Sequence, residues 1–294
     1  MLEDFTGLNS EGGEMHKFIL LFQCQDRKGI VAKISDFILK IDGNIITADQ
    51  HSTDPEGGHF FIRVEFVLDN DQHNRQSLVL AFKPVAQEFG ASWNIYDRAE
   101  ILRMGIIVSE PDHCLIDLLY LWNAGELKVE IPFVLSNCEK HRKLVTGYNL
   151  PFYYVPANKD NRRESELLSY ALEATDFLVL ARYMLVLSAD FLQKYNKDII
   201  NIHHGFLPSF KGADPYGQAL EKGVKVIGST VHFVNNQLDE GPIIAQEVEY
   251  VSHKDGRQDL IRKGKHAEKK ALAQALASYI DYRVIKHENK TIVF

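Results

Sequence analysis

The spacing of apolar positions changes several times along this chain, and each change marks an element. Residues 17–24 are rich in Ile, Leu and Phe and predict a strand that ends at Gln25-Asp26-Arg27-Lys28-Gly29. Ile30, Ile34, Phe37, Ile38 and Ile41 then recur at helical spacing, which predicts a helix over 30–41 stopped by Gly43-Asn44. Strands over 45–52 and 59–68 flank the turn Asp54-Pro55-Glu56-Gly57-Gly58. A helix over 76–88 and a short strand over 92–96 complete a βαββαβ order, the split-βαβ arrangement of a ferredoxin-like domain at 15–97.

A charged linker over 97–103 follows, and strands then alternate with helices. Strands are predicted at 104–108, 129–135, 152–155, 177–180 and 199–203. Helices are predicted at 114–122, 139–145 and 164–175, and another, capped by Ser188, carries Phe191 and Leu192. Such alternation argues a second domain at 102–294 of the α/β class, a Rossmann-like and mostly parallel sheet with helices on both faces. Strands at 225–234 and 242–251, joined by the short 235–241 connection, predict an antiparallel pair. A helix over 257–286 and one short strand close the chain.

Composition narrows the function classes. A length of 294 residues suffices for two cores. A formal net charge of −7 opposes a nucleic-acid surface, and the basic stretch 263–270 reads as a solvated helix face among acids. Cys24, Cys114 and Cys138 are widely spaced, with no metal-ligand pattern, and predict free thiols in the cytoplasm. The first fourteen residues are acidic and Gly-rich, unlike a secretory signal, and no apolar run approaches the roughly 20 residues that span a bilayer.

The candidate chemistry lies late in the chain. Side chains alternate along a strand, so Asn201 and His203 point one way while Ile200 and Ile202 point the other. Asp239 follows in a Leu-Asp-Glu-Gly-Pro turn after the next strand. In a parallel sheet the reactive groups collect above the carboxyl ends of the strands. One crevice can therefore receive an amide donor, an imidazole and a carboxylate, the set needed to drive water or an amine onto a carbonyl carbon. Asp214-Pro215 predicts a helix start, with Asp as N-cap and Pro in the first turn.

The pieces L-V-L-A-R-Y-M-L-V-L, I-I-N-I-H-H-G-F-L-P-S-F-K-G, T-V-H-F-V and L-D-E-G-P-I-I resemble the catalytic core of the folate-dependent formyltransferase family. The front domain, with Asp-Arg-Lys-Gly-Ile after its first strand, resembles an ACT domain. The combination implies hydrolysis of 10-formyltetrahydrofolate to tetrahydrofolate and formate, which would supply formate for purine synthesis and balance the one-carbon folate pools. It also implies catalysis by Asn201, His203 and Asp239, with no metal and no tightly bound cofactor. His204 and His232 would stand beside the site. Arg182, Met184, Leu187, Ile202 and Gly241 would bind the folate substrate, with the pterin against the backbone of 182–187. Asp26, Gly29 and Ile30 would hold an amino-acid effector such as glycine or methionine. ACT-like domains with open sheet edges tend to pair, so a homo-oligomer is expected.

Transferases of this family that act on glycinamide ribonucleotide open with a Gly-rich, phosphate-binding turn. Here the equivalent segment is Val108-Ser109-Glu110-Pro111-Asp112, whose acids repel a phosphate and whose Pro removes an amide donor. That favours water as acceptor over an amine, while formyl transfer to an amine and a non-catalytic folate-binding regulator stay open as alternatives. Two other positions depart from relatives. Asp214-Pro215-Tyr216-Gly217 stands where a basic residue and Pro-Tyr-His are usual, and Leu185 stands where Arg follows Met.

Overall fold

A computed structural model describes residues 16–54, 56–69, 73–209 and 214–294. The acidic stretch of the first fourteen residues, Pro55 of the first-domain turn, and Phe210, Lys211 and Gly212 of the motif, with Ala213 after it, lie outside the described residues. The chain divides into two compact units, one ending at Ile101 and the other spanning Leu102–Val293.

The first unit runs β1 (His16–Gln25), α1 (Ile30–Lys40), β2 (Gly43–Ser52), β3 (His59–Leu68), α2 (Arg75–Phe89) and β4 (Ser92–Asp97). Its sheet has the order β2-β3-β1-β4 with every pairing antiparallel. Alternate residues Phe18, Leu20 and Phe22 of β1 and Ile62, Val64 and Phe66 of β3 face one side. There they pack on Ile34, Phe37 and Ile38 of α1 and Leu78, Phe82 and Ala86 of α2. The first helix ends differently from the sequence reading. Asp42, at φ 58, takes the left-handed position, while Gly43 already belongs to β2.

The second unit begins with β5 (Leu102–Val108), α3 (His113–Asn123), β6 (Val129–Glu130), β7 (Val134–Ser136), α4 (Arg142–Gly147) and β8 (Phe152–Tyr154). It continues with α5 (Glu164–Ala171), β9 (Phe177–Leu180), α6 (Ala189–Tyr195), β10 (Asp198–His203), α7 (Pro215–Glu221), β11 (Val226–Phe233) and β12 (Ile243–Tyr250). The chain closes with α8 (Arg257–Ile280), β13 (Val284–His287) and β14 (Lys290–Val293). The main sheet has the order β12-β11-β10-β9-β5-β7-β8, parallel from β10 to β8 and antiparallel at β11 and β12. Ile106, Val108, Val179, Ile200 and Ile202 pack with α3 and α8 on one face, whereas Ile107, Leu178, Leu180 and Ile199 pack with α5 and α6 on the other.

Four predicted elements change shape. The helix over 139–145 opens as a 3-10 turn at Glu139–His141 before α4. The strand over 129–135 is two pieces, because Pro132 removes a ladder donor between β6 and β7. The helix over 164–175 stops at Ala171, whose carbonyl accepts the Thr175 hydroxyl at 2.8 Å. The helix over 257–286 stops at Ile280, and Tyr282, at φ 52, turns the chain into a β13–β14 hairpin instead of one strand. Among the described residues no helix is long and apolar enough to cross a membrane.

Candidate active site

β10 runs through the middle of the main sheet, and its carboxyl end forms the floor of the site. Ile200 and Ile202 anchor the strand in the core, which turns Asn201 and His203 to the opposite face. In the antiparallel register with β11, Asn201 lies across from His232 and His203 from Thr230. The Asn201 amide Nδ2 is 3.1 Å from His232 Nε2, and His232 Nδ1 is 2.9 Å from the Phe233 carbonyl oxygen. Only one neutral tautomer satisfies both contacts: Nδ1–H donates to the carbonyl, and Nε2 accepts from the amide. Burial opposes a charge on this ring and pushes its pKa below the ordinary value. The Asn201 amide is therefore oriented, with its oxygen and second N–H left for other partners.

Asp239 arrives from the connection between β11 and β12. Phe233 N–H donates to the Pro242 carbonyl at 2.9 Å and closes this loop, and the Asn235 side chain accepts the Gln237 N–H at 3.0 Å inside it. Gly241 is required here by close approach, since a Cβ would lie 1.7 Å from the Phe233 carbonyl oxygen. Asp239 itself stands at φ 55, a left-handed conformation that Asp tolerates better than most residues. Its Oδ2 is 3.3 Å from His203 Nδ1 and its Oδ1 is 3.8 Å from His232 Nε2. Asn201, His203 and Asp239 thus converge beside one cavity of about 230 Å³.

The strand end is braced from β11 and β12. The Thr230 hydroxyl donates to the Gly205 carbonyl at 2.9 Å and accepts the Leu207 N–H at 3.0 Å. The Gln246 amide donates to the Leu207 carbonyl at 2.9 Å. These contacts fix the chain as it leaves His203. Thr230 opens the T-V-H-F-V piece without any sign that it holds this loop, and no motif pointed to Gln246.

Of the residues expected against the folate, Arg182, Met184, Leu187 and Ile202 line the cavity and Gly241 does not. Met184 is half-exposed, Leu187 is buried in the wall, Ile202 packs its side chain in the core beneath the strand, and Gly241 shapes the Asp239 loop from behind. Arg182 turns its guanidinium away, and its Nε lies 3.1 Å from Glu268 Oε2 without the alignment of a hydrogen bond. Leu185, noted as a departure, joins the lining as an apolar wall. His204 also lines the cavity, with its ring edge-on to Tyr216.

In the first unit, Gly29 has φ 95 and precedes α1, a conformation open to glycine at little cost. The Asp26 carboxylate accepts the Ser52 hydroxyl at 2.5 Å, and Ile30 is buried in the core. Of the three expected effector residues, then, Ile30 has its side chain committed to packing.

Among the described residues, His113, Cys114 and Glu268 bring metal-ligand-type atoms within 4.8 Å of one another, a proximity invisible in their spacing. Glu268 already accepts His113 Nε2–H at 2.9 Å and the Tyr216 hydroxyl at 2.7 Å, with Arg182 beside it. A permanent guanidinium charge there disfavours a cation.

Residues 102–276 match the formyl transferase family. The chain is 46% identical over 296 residues to formyltetrahydrofolate deformylase of Bacillus subtilis (strain 168), covering 100% of this chain and 97% of that one. The crystal structure of a formyltetrahydrofolate deformylase from Pseudomonas syringae pv. tomato str. DC3000 superposes with a TM-score of 0.91 at 40% identity, over 99% of this chain and 96% of that chain. Glycinamide ribonucleotide transformylase 1 from Symbiobacterium toebii is less similar, with a TM-score of 0.59 and 27% identity over 68% of this chain and 98% of that chain.

Proposed function

The chain belongs to the formyltetrahydrofolate deformylases within the formyl transferase family, and from that premise we propose how its residues hydrolyse 10-formyltetrahydrofolate. The observation that carries the assignment is the His203–Asp239 contact of 3.3 Å beside the oriented amide of Asn201. Asp239 orients the attacking water and takes its proton, directly or through His203, as the oxygen bonds to the formyl carbon. The carbonyl oxygen becomes an oxyanion, stabilised by the free N–H of Asn201 and by His203. The C–N bond then breaks, the folate nitrogen receives a proton from His203, and formate leaves. Water and the folate are the only reactants in this scheme. The flat pterin would lie along the backbone of 182–187, against Leu187.

The loop after β5 supports water as acceptor. Ser109 N–H donates to the Arg182 carbonyl at 3.2 Å, and the Ser109 hydroxyl accepts Met184 N–H at 3.0 Å. The Ser109 carbonyl accepts from His141 at 2.7 Å. The groups of this residue are turned inward, so it offers a phosphate no cradle.

The first unit is read as an ACT-like regulatory domain over 15–97, and 102–294 as the catalytic domain. The start of α1 has no acidic residue in its first turn and no side-chain cap, which supports a carboxylate-bearing effector near Asp26 and Gly29. The open edges β2 and β4 support a homo-oligomer, and three free thiols support a reducing cytoplasm. In that setting the released formate would serve purine synthesis.

The deciding experiment measures formate release from 10-formyltetrahydrofolate with no amine present, with and without glycine or methionine. Steady turnover is expected. Release only on adding an amine would establish a transferase, and folate binding without any release would establish a regulator. A flat response of rate and melting temperature to both amino acids would remove the effector role.

A further inference from the structure

Glu268 is the only carboxylate among the described residues buried to 1% exposure. It stands on the apolar stripe of α8, beside Gly264, Ala267, Ala271 and Leu272. Three other elements converge on it. His113, the first residue of α3, donates at 2.9 Å, and Tyr216 of α7 donates at 2.7 Å. Arg182, just beyond β9, sets its guanidinium Nε 3.1 Å away. Gly264 makes room for this meeting, because a Cβ there would lie 1.9 Å from the Tyr216 hydroxyl. Burial alone would raise the Glu268 carboxyl, but the His113 hydrogen bond and the Arg182 charge outweigh it and hold the group below the ordinary range.

Arg182 is also the pivot of the cavity wall. It stands at φ 66, which is unfavourable for a long side chain and persists only where surrounding contacts enforce it. Its N–H donates to the Leu180 carbonyl at 3.1 Å and its carbonyl accepts Ser109 N–H at 3.2 Å. From this point Tyr183, Met184, Leu185, Val186 and Leu187 run along the cavity. The catalytic trio is held independently, by β10, β11 and the Asp239 loop.

We infer that Glu268 is a positioning residue for folate binding: it clamps the Arg182 pivot against α3 and α7 and so fixes the 182–187 wall without touching substrate. The inference rests on the reading of this cavity as the folate site. Because the clamp serves the wall and not the trio, its loss acts on KM and spares kcat.

The test is steady-state formate release by the full chain carrying Glu268→Met, Arg182→Met, or both changes together. Each single change is expected to raise KM at least about 10-fold while kcat stays within about 3-fold. The double change is expected to raise KM no more than the larger single effect, because both residues act through one contact. A fall in kcat with KM unchanged, or effects that multiply in the double variant, overturns the inference. Should a single variant fail to fold, the double, which buries no unpaired charge, decides the matter. An unchanged KM there, or loss of folding there, overturns the clamp as well. Turnover by the unmodified chain is measured alongside: its absence defeats the hydrolase reading, whereas normal kcat and KM in the variants defeat only the role of Glu268.

Discussion

The side-chain amide of Asn201 is steered by His232, whose Nε2 lies 3.1 Å from Asn201 Nδ2 across the β10–β11 pair. His232 is steered in turn by the Phe233 carbonyl, 2.9 Å from its Nδ1. Removing the ring leaves Asn201 free to turn its oxygen toward the forming oxyanion, where it would repel. His232→Ala is therefore expected to lower kcat by about 10–100-fold, less than deletion of a donor, with KM little changed. Formate-release kinetics on the purified variant check this. An unaltered kcat would show that the amide is set by something else.

Asp239 combines a chemical and a conformational demand. At φ 55 the backbone favours Asp or Asn over other side chains. Asp239→Asn should fold with unchanged melting temperature and lose at least about 100-fold in rate. Asp239→Ala should lose as much activity and also about 1 kcal/mol of stability from the left-handed strain. Urea titrations of the two variants separate these effects, and equal stability would contradict the strain argument.

Gly241 is expected to tolerate no side chain. A Cβ there would meet the Phe233 carbonyl oxygen at 1.7 Å, and that atom belongs to backbone that cannot rotate away. Gly241→Ala should open the β11–β12 corner, cost about 1–3 kcal/mol and carry Asp239 off His203. Melting temperature and kcat should fall together. A stable variant with full activity would mean that the corner yields without moving the carboxylate.

The buried neutral ring of His232 sets the sign of one pH effect. Its pKa in the folded chain lies below the ordinary 6.5, chiefly through burial, so the unfolded chain binds this proton more readily. Stability from this group is present above pH 6.5 and is lost as pH falls below it, levelling off beneath the folded pKa. Urea midpoints measured from about pH 7.5 down to 5 should fall more steeply in the unmodified chain than in His232→Gln. Parallel slopes would assign the acid loss to other groups.

Much of this molecule was legible in its sequence, because the two apolar periods change cleanly at element ends. Asn201 and His203 were legible as a pair, since two-residue spacing on a buried strand puts them on one face. What was not legible depends on register and on contacts across long separations. Nothing local announces that His232 falls opposite Asn201 when β11 pairs with β10. Glu268 and His113 are 155 residues apart, and the stretch 263–270, expected to be a solvated helix face, in fact buries Gly264, Ala267 and Glu268. Tyr282 ends α8 in a left-handed turn without the glycine that usually signals one, so the helix was read too long.

The two departures at Asp214 and Gly217 meet in the structure. Asp214 Oδ1 accepts the Gly217 N–H at 3.1 Å, and a Cβ at 217 would lie 2.2 Å from Asp214 Oδ2. A side chain at 217 would require the exposed Asp214 and Arg257 side chains to shift. Arg257 places a cation 2.9 Å from Asp214.

The inward-turned serine after β5 has a kinetic meaning. With its groups spent on Arg182, Met184 and His141, the enzyme as read above has no second substrate whose supply can pace it, since solvent never runs short. On the substrate side, turnover then follows the folate concentration alone. A brake on formate production would have to be exerted on the polypeptide, and the small ferredoxin-like unit is the part left over for such a task.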